Sequence, residues 1–282
     1  MTATVGEALR AASERLAEAG VGTPNRDAHR LLAHVLDTDT PHLTARTFDA
    51  LDERALHAFD NLVGRRCARE PASHLAGHRD FWKPRFRVTP HVLDPRPETE
   101  TLVALALDVP FERVLDLGTG SGAILISLLL ERPAARGVGT DVSAEAILLA
   151  GENADTLGVA DRITLPLSKW FDDVGGRYDL IVSNPPYIAA NEMGDLEPEV
   201  RDHEPRLALT DEADGLTAYR AIASGADAFL NPEGRILLEI GPTQGKAVAL
   251  LFEQAGFSRV AVHEDLDGRD RVVEARLDAK SR

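Results

Sequence analysis

The chain has 282 residues, of which 44% are hydrophobic, enough to fill the core of one large domain or two ordinary ones. Its formal net charge of -15 argues against a protein that holds nucleic acid mainly through the phosphates, because such binding requires a basic face. The single cysteine, Cys67, excludes an internal disulfide and a thiolate metal cage, which fits a reducing cytoplasm.

The N-terminal part of the chain has the periodicity of helices. One face of the first predicted helix carries Val5, Leu9, Ala12 and Leu16. Gly20 is expected to end this helix, and Thr23 followed by Pro24 is typical of an N-cap and a first helical residue. A helix over about 24–36 and one or two more would follow, so we predict a small helical bundle over 1–75.

The next segment predicts a β-hairpin that links the bundle to the rest of the chain. Short aromatic and β-branched runs are interrupted here by Gly77, Pro84 and Pro90. We assign this linker to residues 76–96.

From residue 97 to 282, short apolar strands alternate with helices. The predicted strands are 113–118, 137–142, 162–167, 179–184, 235–240, 259–264 and 271–277, and helices are predicted from about 121, 143, 216 and 245. This alternation predicts an α/β fold with a doubly wound, mostly parallel seven-stranded sheet, in which the last two strands are antiparallel because their connection is too short for a crossover helix. Ligands of such sheets bind beyond the carboxyl ends of the strands.

A glycine-rich turn follows the first of these strands. The sequence 116-DLGTGSG-122 lets backbone N–H groups approach a ligand closely, and Asp141 ends the next strand about twenty residues later. A carboxylate at that position is suited to accept hydrogen bonds from both ribose hydroxyls of a nucleoside. The pattern therefore predicts a nucleoside site, either for a dinucleotide or for S-adenosylmethionine.

The stretch 181-IVSNPPYIA-189 favours S-adenosylmethionine. It ends the fourth strand, which is expected to lie beside the first, so Asn184 would sit next to a methyl donor. Asn184 can offer a side-chain oxygen and Pro185 only its carbonyl, and these two acceptors suit the two hydrogens of a planar NH2 group. Pro186 stiffens the turn, and the ring of Tyr187 can wall the pocket.

The sequence also resembles a known family. The similar segments are REPASHLAG (69–77), PRPETE (95–100), LDLGTGSGAI (115–124), KWF (169–171), SNPPYI (183–188), HEPRLAL (203–209), DGLTAYR (214–220) and DGRDRVV (267–273). They resemble the release-factor glutamine methyltransferases, the HemK family, whose fold is that of the Rossmann-like class I methyltransferases. The resemblance runs from about residue 60 to the end, and residues 1–75 suit that family's small substrate-recognition domain.

The resemblance implies that a methyl group passes from S-adenosylmethionine to the side-chain amide nitrogen of the glutamine in the Gly-Gly-Gln loop of class I peptide-chain release factors. The implied cofactor contacts are Gly118, Thr119, Gly120, Ser121, Gly122, Asp141, Trp170 and Asn184. The implied substrate contacts are Asn184, Pro185, Pro186 and Tyr187, and of these Asn184, Pro185 and Tyr187 are the expected catalytic residues.

Several positions leave questions open. Family members usually carry an acidic residue where this chain has Lys169, so the contact to the adenine amine is unassigned, and Trp170 is either an adenine contact or a core residue. Arg96 and Glu98 could line the mouth of the site, although Pro97 and Glu98 equally suit a helix start. A further set of carboxylates is expected in a solvated loop: Asp195, Glu197, Glu199 and Glu204.

Three alternatives remain at this point: a glutamine methyltransferase acting on a ribosomal protein, a nucleic-acid amino-methyltransferase, and a noncatalytic cofactor-binding module. The acidic composition counts against direct nucleic-acid binding. We expect no metal ion, no membrane partner and a cytoplasmic location, because the chain has neither a metal-ligand pattern nor an apolar span or signal peptide.

Overall fold

The computed structural model describes residues 3–277. Within this range the α-helices are α1 (Val5–Glu18), α2 (Pro24–Val35), α3 (Thr40–Ala45), α4 (Glu53–Cys67), α5 (Ala72–Ala76), α6 (Glu100–Leu107), α7 (Ala123–Glu131), α8 (Ala144–Thr156), α9 (Pro198–His203), α10 (Arg206–Leu209), α11 (Thr217–Phe229) and α12 (Gly245–Gln254). The strands are β1 (His78–Asp80), β2 (Arg85–Arg87), β3 (Arg113–Leu117), β4 (Arg136–Thr140), β5 (Ile163–Thr164), β6 (Tyr178–Ser183), β7 (Leu230–Glu239), β8 (Arg259–Glu264) and β9 (Asp270–Arg276).

The chain divides into two compact units. One comprises residues 1–78 together with 197–203, and the other comprises 79–196 and 204–282. Sequence analysis placed a boundary near residue 75 but did not foresee that α9, more than a hundred residues further on, belongs to the helical unit. None of the helices in the described range is both long and apolar enough to cross a membrane.

The helical unit is built as its periodicity predicts. The apolar face of α1 is buried against a core that includes Leu31, Leu32 and Val63. Helix α1 begins with a capping box in which Thr4 and Glu7 exchange hydrogen bonds with each other's backbone N–H. Pro24 is the first residue of α2, but the Thr23 hydroxyl donates to Asp27 Oδ1, at 3.0 Å, instead of capping the backbone.

A buried cluster of charges joins three segments of this unit. Arg66 Nε donates to Asp27 Oδ2 at 2.8 Å, and its terminal nitrogen donates to Glu199 Oε1 at 2.8 Å. Glu199 also accepts from Arg69, and the side chains of Arg66 and Asp27 are only 6% and 7% exposed. The expectation of a solvated Glu199 is therefore wrong, because two arginines compensate the carboxylate for its lost water.

The second unit contains the predicted sheet. In the described part of the chain it has seven strands in the order β5-β4-β3-β6-β7-β9-β8, with β9 antiparallel to both of its neighbours and the remaining pairs parallel. Alternate residues of the central strands face opposite layers: Val114 and Leu180 pack with α6 and α7, whereas Leu115 and Ile181 pack with α11 and α12. The doubly wound α/β fold is confirmed.

Some boundaries differ from prediction for local reasons. Strand β5 ends at Thr164, before Pro166, since proline has no N–H to donate to the ladder. Helix α7 begins at Ala123 because Gly122 has a φ of 79°, outside the helical region. The predicted hairpin is present as the two-stranded β1-β2 sheet, whereas α6 was not predicted.

The buried charges of the helical unit allow a stability test. Arg66→Ala should lower its free energy of unfolding by about 3 to 5 kcal/mol, because the buried Asp27 carboxylate loses its arginine partner and Glu199 keeps only Arg69. Urea unfolding followed by circular dichroism measures the change. The matched control is Arg65→Ala, whose side chain is 49% exposed and pairs with Glu70, and it should cost about 1 kcal/mol or less. Equal losses in the two variants would contradict a structural role for the buried cluster.

Candidate active site

A cavity of about 410 Å³ lies at the carboxyl ends of β3, β4 and β6. Its lining includes the turn after β3, Asp141 after β4 and Asn184 after β6. Parallel strands end at the same edge of a sheet, so three segments far apart in sequence meet there. The second unit therefore contains one concave site that gathers most of the residues singled out from the sequence.

The turn after β3 requires glycines for two reasons: its backbone conformation and its packing on α7. Gly118, Gly120 and Gly122 have φ values of 71°, 56° and 79°, in the left-handed region that favours glycine. A Cβ on Gly122 would lie 2.8 Å from Ile126 Cδ1, so this position is required for packing the turn on α7, and Gly122 does not line the cavity. A Cβ on Gly120 would meet no atom of the described residues within 4 Å, which leaves the backbone open toward the cavity.

A buried carboxylate supports the turn from beneath. Asp116, fully buried, accepts a hydrogen bond from the Thr119 hydroxyl at 2.7 Å, and its Oδ1 has no hydrogen-bond partner within residues 3–277. Burial raises the pKa of Asp116 to about 7, an effect that the Thr119 bond partly offsets. This carboxyl group can therefore receive a donor at the base of the turn.

Asp141 joins the ends of β3 and β4. Its Oδ2 accepts from the Gly120 N–H and its Oδ1 from the Ser143 N–H, each at 2.9 Å. Burial raises its pKa, and these backbone bonds act in the opposite direction. Because each carboxylate oxygen has a second lone pair, Asp141 can hold the turn in shape and still accept from a ligand.

Trp170 packs against the core and also lines the cavity. Its ring is partly buried against the apolar layer beneath the sheet, and it also lines the cavity. Its backbone φ of 52° is uncommon for a residue with a side chain, and its carbonyl accepts from the Thr140 hydroxyl at 3.3 Å. Lys169 lines the cavity beside it and is exposed.

The orientation of Asn184 is the most informative feature of the site. Its Nδ2 donates to Thr99 Oγ1 at 3.3 Å, whereas its buried Oδ1 has no partner among the described residues. A buried oxygen without a hydrogen bond is costly, so an unpartnered acceptor on a residue that lines a ligand-sized cavity indicates a place for a bound donor. Thr99 is a cavity residue that sequence analysis missed, although it lies within the PRPETE segment.

The proline turn is only partly in the cavity. Pro185 and Pro186 line it, but Tyr187 is not among the lining residues. The Tyr187 carbonyl accepts from Gln244 Nε2 at 2.9 Å, and burial raises the pKa of its phenol to about 12. The structure thus places Tyr187 next to the proline turn as a neutral, partly buried ring.

An ion pair lies at another part of the wall. Arg96 lines the cavity and donates through one terminal nitrogen to both oxygens of Glu204, at 2.5 and 2.7 Å. The Glu204 side chain is 2% exposed, and burial raises its pKa to about 7. The expectation of a solvated Glu204 is wrong, since Arg96 pairs with this carboxylate inside the protein.

Pro97 is the first residue of a short 3-10 helix, Pro97–Thr99, as expected for a proline at a helix start.

The arrangement fits S-adenosylmethionine. The open backbone at Gly120 and the available lone pairs of Asp141 offer polar contacts along one side of the cavity, and the buried Asp116 lies behind the turn, outside the lining. Trp170 offers an aromatic surface, and Asn184 lines the cavity while its Oδ1 is buried and has no partner among the described residues.

Comparisons with known proteins agree with this geometry. Residues 7–77 match the PrmC N-terminal domain model and residues 97–197 match the methyltransferase small domain model. A release factor glutamine methyltransferase of Cereibacter sphaeroides is 57% identical, covering 97% of this chain and 98% of that protein. Another, of Caulobacter vibrioides, is 42% identical over 97% and 96% of the two chains. A methyltransferase structure from Pyrococcus furiosus, 17% identical with a TM-score of 0.53, covers 68% of this chain and 88% of its own and shares the fold.

The role of Asp141 can be tested by calorimetry with S-adenosylhomocysteine. Asp141→Ala should weaken binding by about 1.5 to 3 kcal/mol, because it removes hydrogen bonds to a charged acceptor and frees the glycine turn. Asp172→Ala is the control, since Asp172 is exposed and outside the cavity lining. Unchanged affinity in Asp141→Ala would reject the cofactor assignment of this carboxylate.

Proposed function

Since the chain belongs to the release factor glutamine methyltransferase family, it is an S-adenosylmethionine-dependent enzyme, and we propose that it methylates the glutamine of the Gly-Gly-Gln motif in class I peptide-chain release factors. The methyl group is transferred to the side-chain amide nitrogen. The observation that carries the proposal is the buried, unpartnered Asn184 Oδ1 in a cavity shared with the glycine turn.

A primary amide needs this kind of site. Its nitrogen is a poor nucleophile because the lone pair is delocalised into the carbonyl, and its two N–H groups are donors. Asn184 Oδ1 can accept one of them, and the carbonyl of Pro185, a residue with no N–H, can accept the other. Accepting both bonds fixes the nitrogen's position and raises its electron density.

The cofactor supplies an electrophilic methyl group on a sulfonium. The residues that would hold it are those of the glycine turn from Gly118 to Ser121, with Asp141, Trp170 and part of Asn184. Gly122 supports this turn by packing, and Tyr187 supports the proline turn from outside the cavity lining.

The chain's own contribution to the reaction is alignment. On receiving the methyl group from the sulfonium, the substrate's amide nitrogen would become positively charged and strongly acidic. Its proton then leaves to water, so no side chain has to act as a base before transfer. Rate enhancement comes from holding the nitrogen in line and from stabilising its developing charge through the two acceptors.

Support for the substrate comes from two observations. The relatives named release factor glutamine methyltransferases align with nearly the whole chain, so the similarity extends beyond the cofactor site. The helical unit matches its own family model over residues 7–77. We propose that this unit recognises the folded release factor.

The proposal is tested by incubating purified class I release factors with the protein and S-adenosylmethionine. Intact mass should rise by one methyl group, and fragmentation should place that group on the glutamine of the Gly-Gly-Gln motif. A release factor with that glutamine changed to glutamate is the matched control and should stay unmodified. Methylation of ribosomal protein or nucleic acid, with release factors unchanged, would overturn the proposal.

Asn184→Ala should slow methylation by about 10²- to 10³-fold, because it removes a preorganised acceptor that acts mainly in the transition state. Single-turnover methylation measures the rate, and calorimetry with S-adenosylhomocysteine measures cofactor affinity, which should change much less. A rate within about threefold of wild type would show that Asn184 is only a turn residue.

Deleting residues 1–75 should reduce kcat/KM for a folded release factor more than for a peptide that contains the Gly-Gly-Gln motif, because only the folded substrate can contact the helical unit. Circular dichroism must first show that the truncated protein is folded, since α9 loses its partners Arg66 and Arg69. Equal losses on both substrates would argue against a recognition role.

A further inference from the structure

The side-chain amide of Asn184 could in principle be held in either of two orientations. Thr99 Oγ1, its partner at 3.3 Å, belongs to a hydroxyl that can both donate and accept. If the hydroxyl donated to Asn184, the amide would turn its NH2 toward the cavity and repel the NH2 of a substrate. Something must therefore prevent Thr99 from donating to Asn184.

Glu239 is placed to do this. It is the last residue of β7. Because the preceding Leu238 is paired with Ser183, the last residue of β6, Glu239 and Asn184 lie at the same edge of the sheet. Glu239 is 1% exposed, and although burial raises its pKa, interaction with the Thr99 side chain acts to lower it. Its Oε2 has no hydrogen-bond partner in the described part of the chain.

We propose that Glu239 and Thr99 are positioning residues that hold the Asn184 amide with its oxygen facing the cavity. The Thr99 hydroxyl has one proton, and when it donates this proton to the Glu239 carboxylate it can only accept from Asn184. Asn184 must then present Nδ2 to Thr99, which leaves Oδ1 free for the substrate. The inference rests on the proposed function insofar as that substrate is an amide.

This relay requires an ionised Glu239. A protonated carboxyl could donate to Thr99, whose own proton could then turn to Asn184 and stabilise the wrong orientation. Burial raises the pKa of Glu239 to about 7, while the Thr99 bond and the charges of Arg271 and Arg96 lower it and Glu98 raises it. Two phenols also interact with it: burial, and after burial the charge of Glu239, raises the pKa of Tyr187 and Tyr219.

The sign of the pH dependence follows. Above the pKa of Glu239 the carboxylate fixes Asn184 in the productive orientation, and below it that orientation is no longer enforced. The methylation rate at saturating cofactor should therefore fall as pH decreases through about 7. Asp116 and Glu204 also have pKa values raised to about 7, so variants are needed to assign this change.

The first experiment compares Thr99→Val with Thr99→Ser in single-turnover methylation of a release factor. Serine keeps the hydroxyl and should keep most of the rate, whereas valine should lose about 10- to 100-fold, the usual loss when an outer hydrogen-bonding layer is removed. Affinity for S-adenosylhomocysteine and the thermal unfolding midpoint should be similar in both variants. Rates within twofold of each other would overturn the proposal.

The pH profile is then measured for Glu239→Gln and for Glu204→Gln. The first variant should lose the decrease in rate below about pH 7, and the second should retain it. If Glu239→Gln keeps the wild-type profile, the relay does not depend on this carboxylate and the proposal fails.

A measurement without substrate separates this inference from the proposed function. The side-chain NH2 signals of Asn184, identified by their loss in Asn184→Ala, should titrate near pH 7 in the wild type but not in Glu239→Gln or Thr99→Val. If they titrate as expected while release factors remain unmethylated, the proposed function fails and the relay stands. If release factors are methylated but the signals do not titrate, the relay fails and the proposed function stands.

Discussion

The parallel pairing of β6 with β3 on one side and β7 on the other is the constraint on which the site depends. Leu117 pairs with Ser183, and Ser183 with Leu238, so the residues that follow these strands meet at one edge. The Ser183 hydroxyl donates to the Leu117 carbonyl at 2.6 Å and adds a side-chain bond to this register. A slip by one residue would turn every side chain of β6 to the other face of the sheet, removing the acceptor from the cavity and apolar groups from both layers.

This edge concentrates polar groups that have little water. Asp116, Glu204 and Glu239 are all buried, and each has a pKa raised to about 7 by loss of solvation. Groups of this kind reduce stability unless they are hydrogen-bonded, and the structure gives each at least one partner. Burial of these carboxylates therefore lowers the stability of the fold at the site, where preorganised polar groups favour binding and catalysis.

In the helical unit, carboxylates that have lost water are compensated by arginines. Arg66 and Arg69 neutralise Asp27 and Glu199, so a short segment distant in sequence is joined to the helical unit by ion pairs. That segment lies between the proline turn at Asn184 and Glu204, the partner of Arg96. The chain that leaves Asn184 thus contributes first to the helical unit, through residues 197–203, and then returns to the unit that contains the sheet.

The sequence by itself determined the elements and the principal residues of the site. Apolar periodicity located the strands and most helices, because the burial pattern of a strand or helix is local and repeats with its geometry. The glycine turn, Asp141 and Asn184 were found because strand ends in a parallel sheet converge, which makes their spacing informative.

Only the tertiary structure decided which groups pair with one another. Thr99 and Glu239 are separated by 140 residues in the sequence, and Arg96 and Glu204 by 108, and no local pattern records such a contact. The same holds for Glu199, predicted to be solvated and in fact paired with two arginines. Burial and pairing of a polar side chain depend on what the whole fold brings to it, whereas secondary structure depends mainly on its neighbours in the chain.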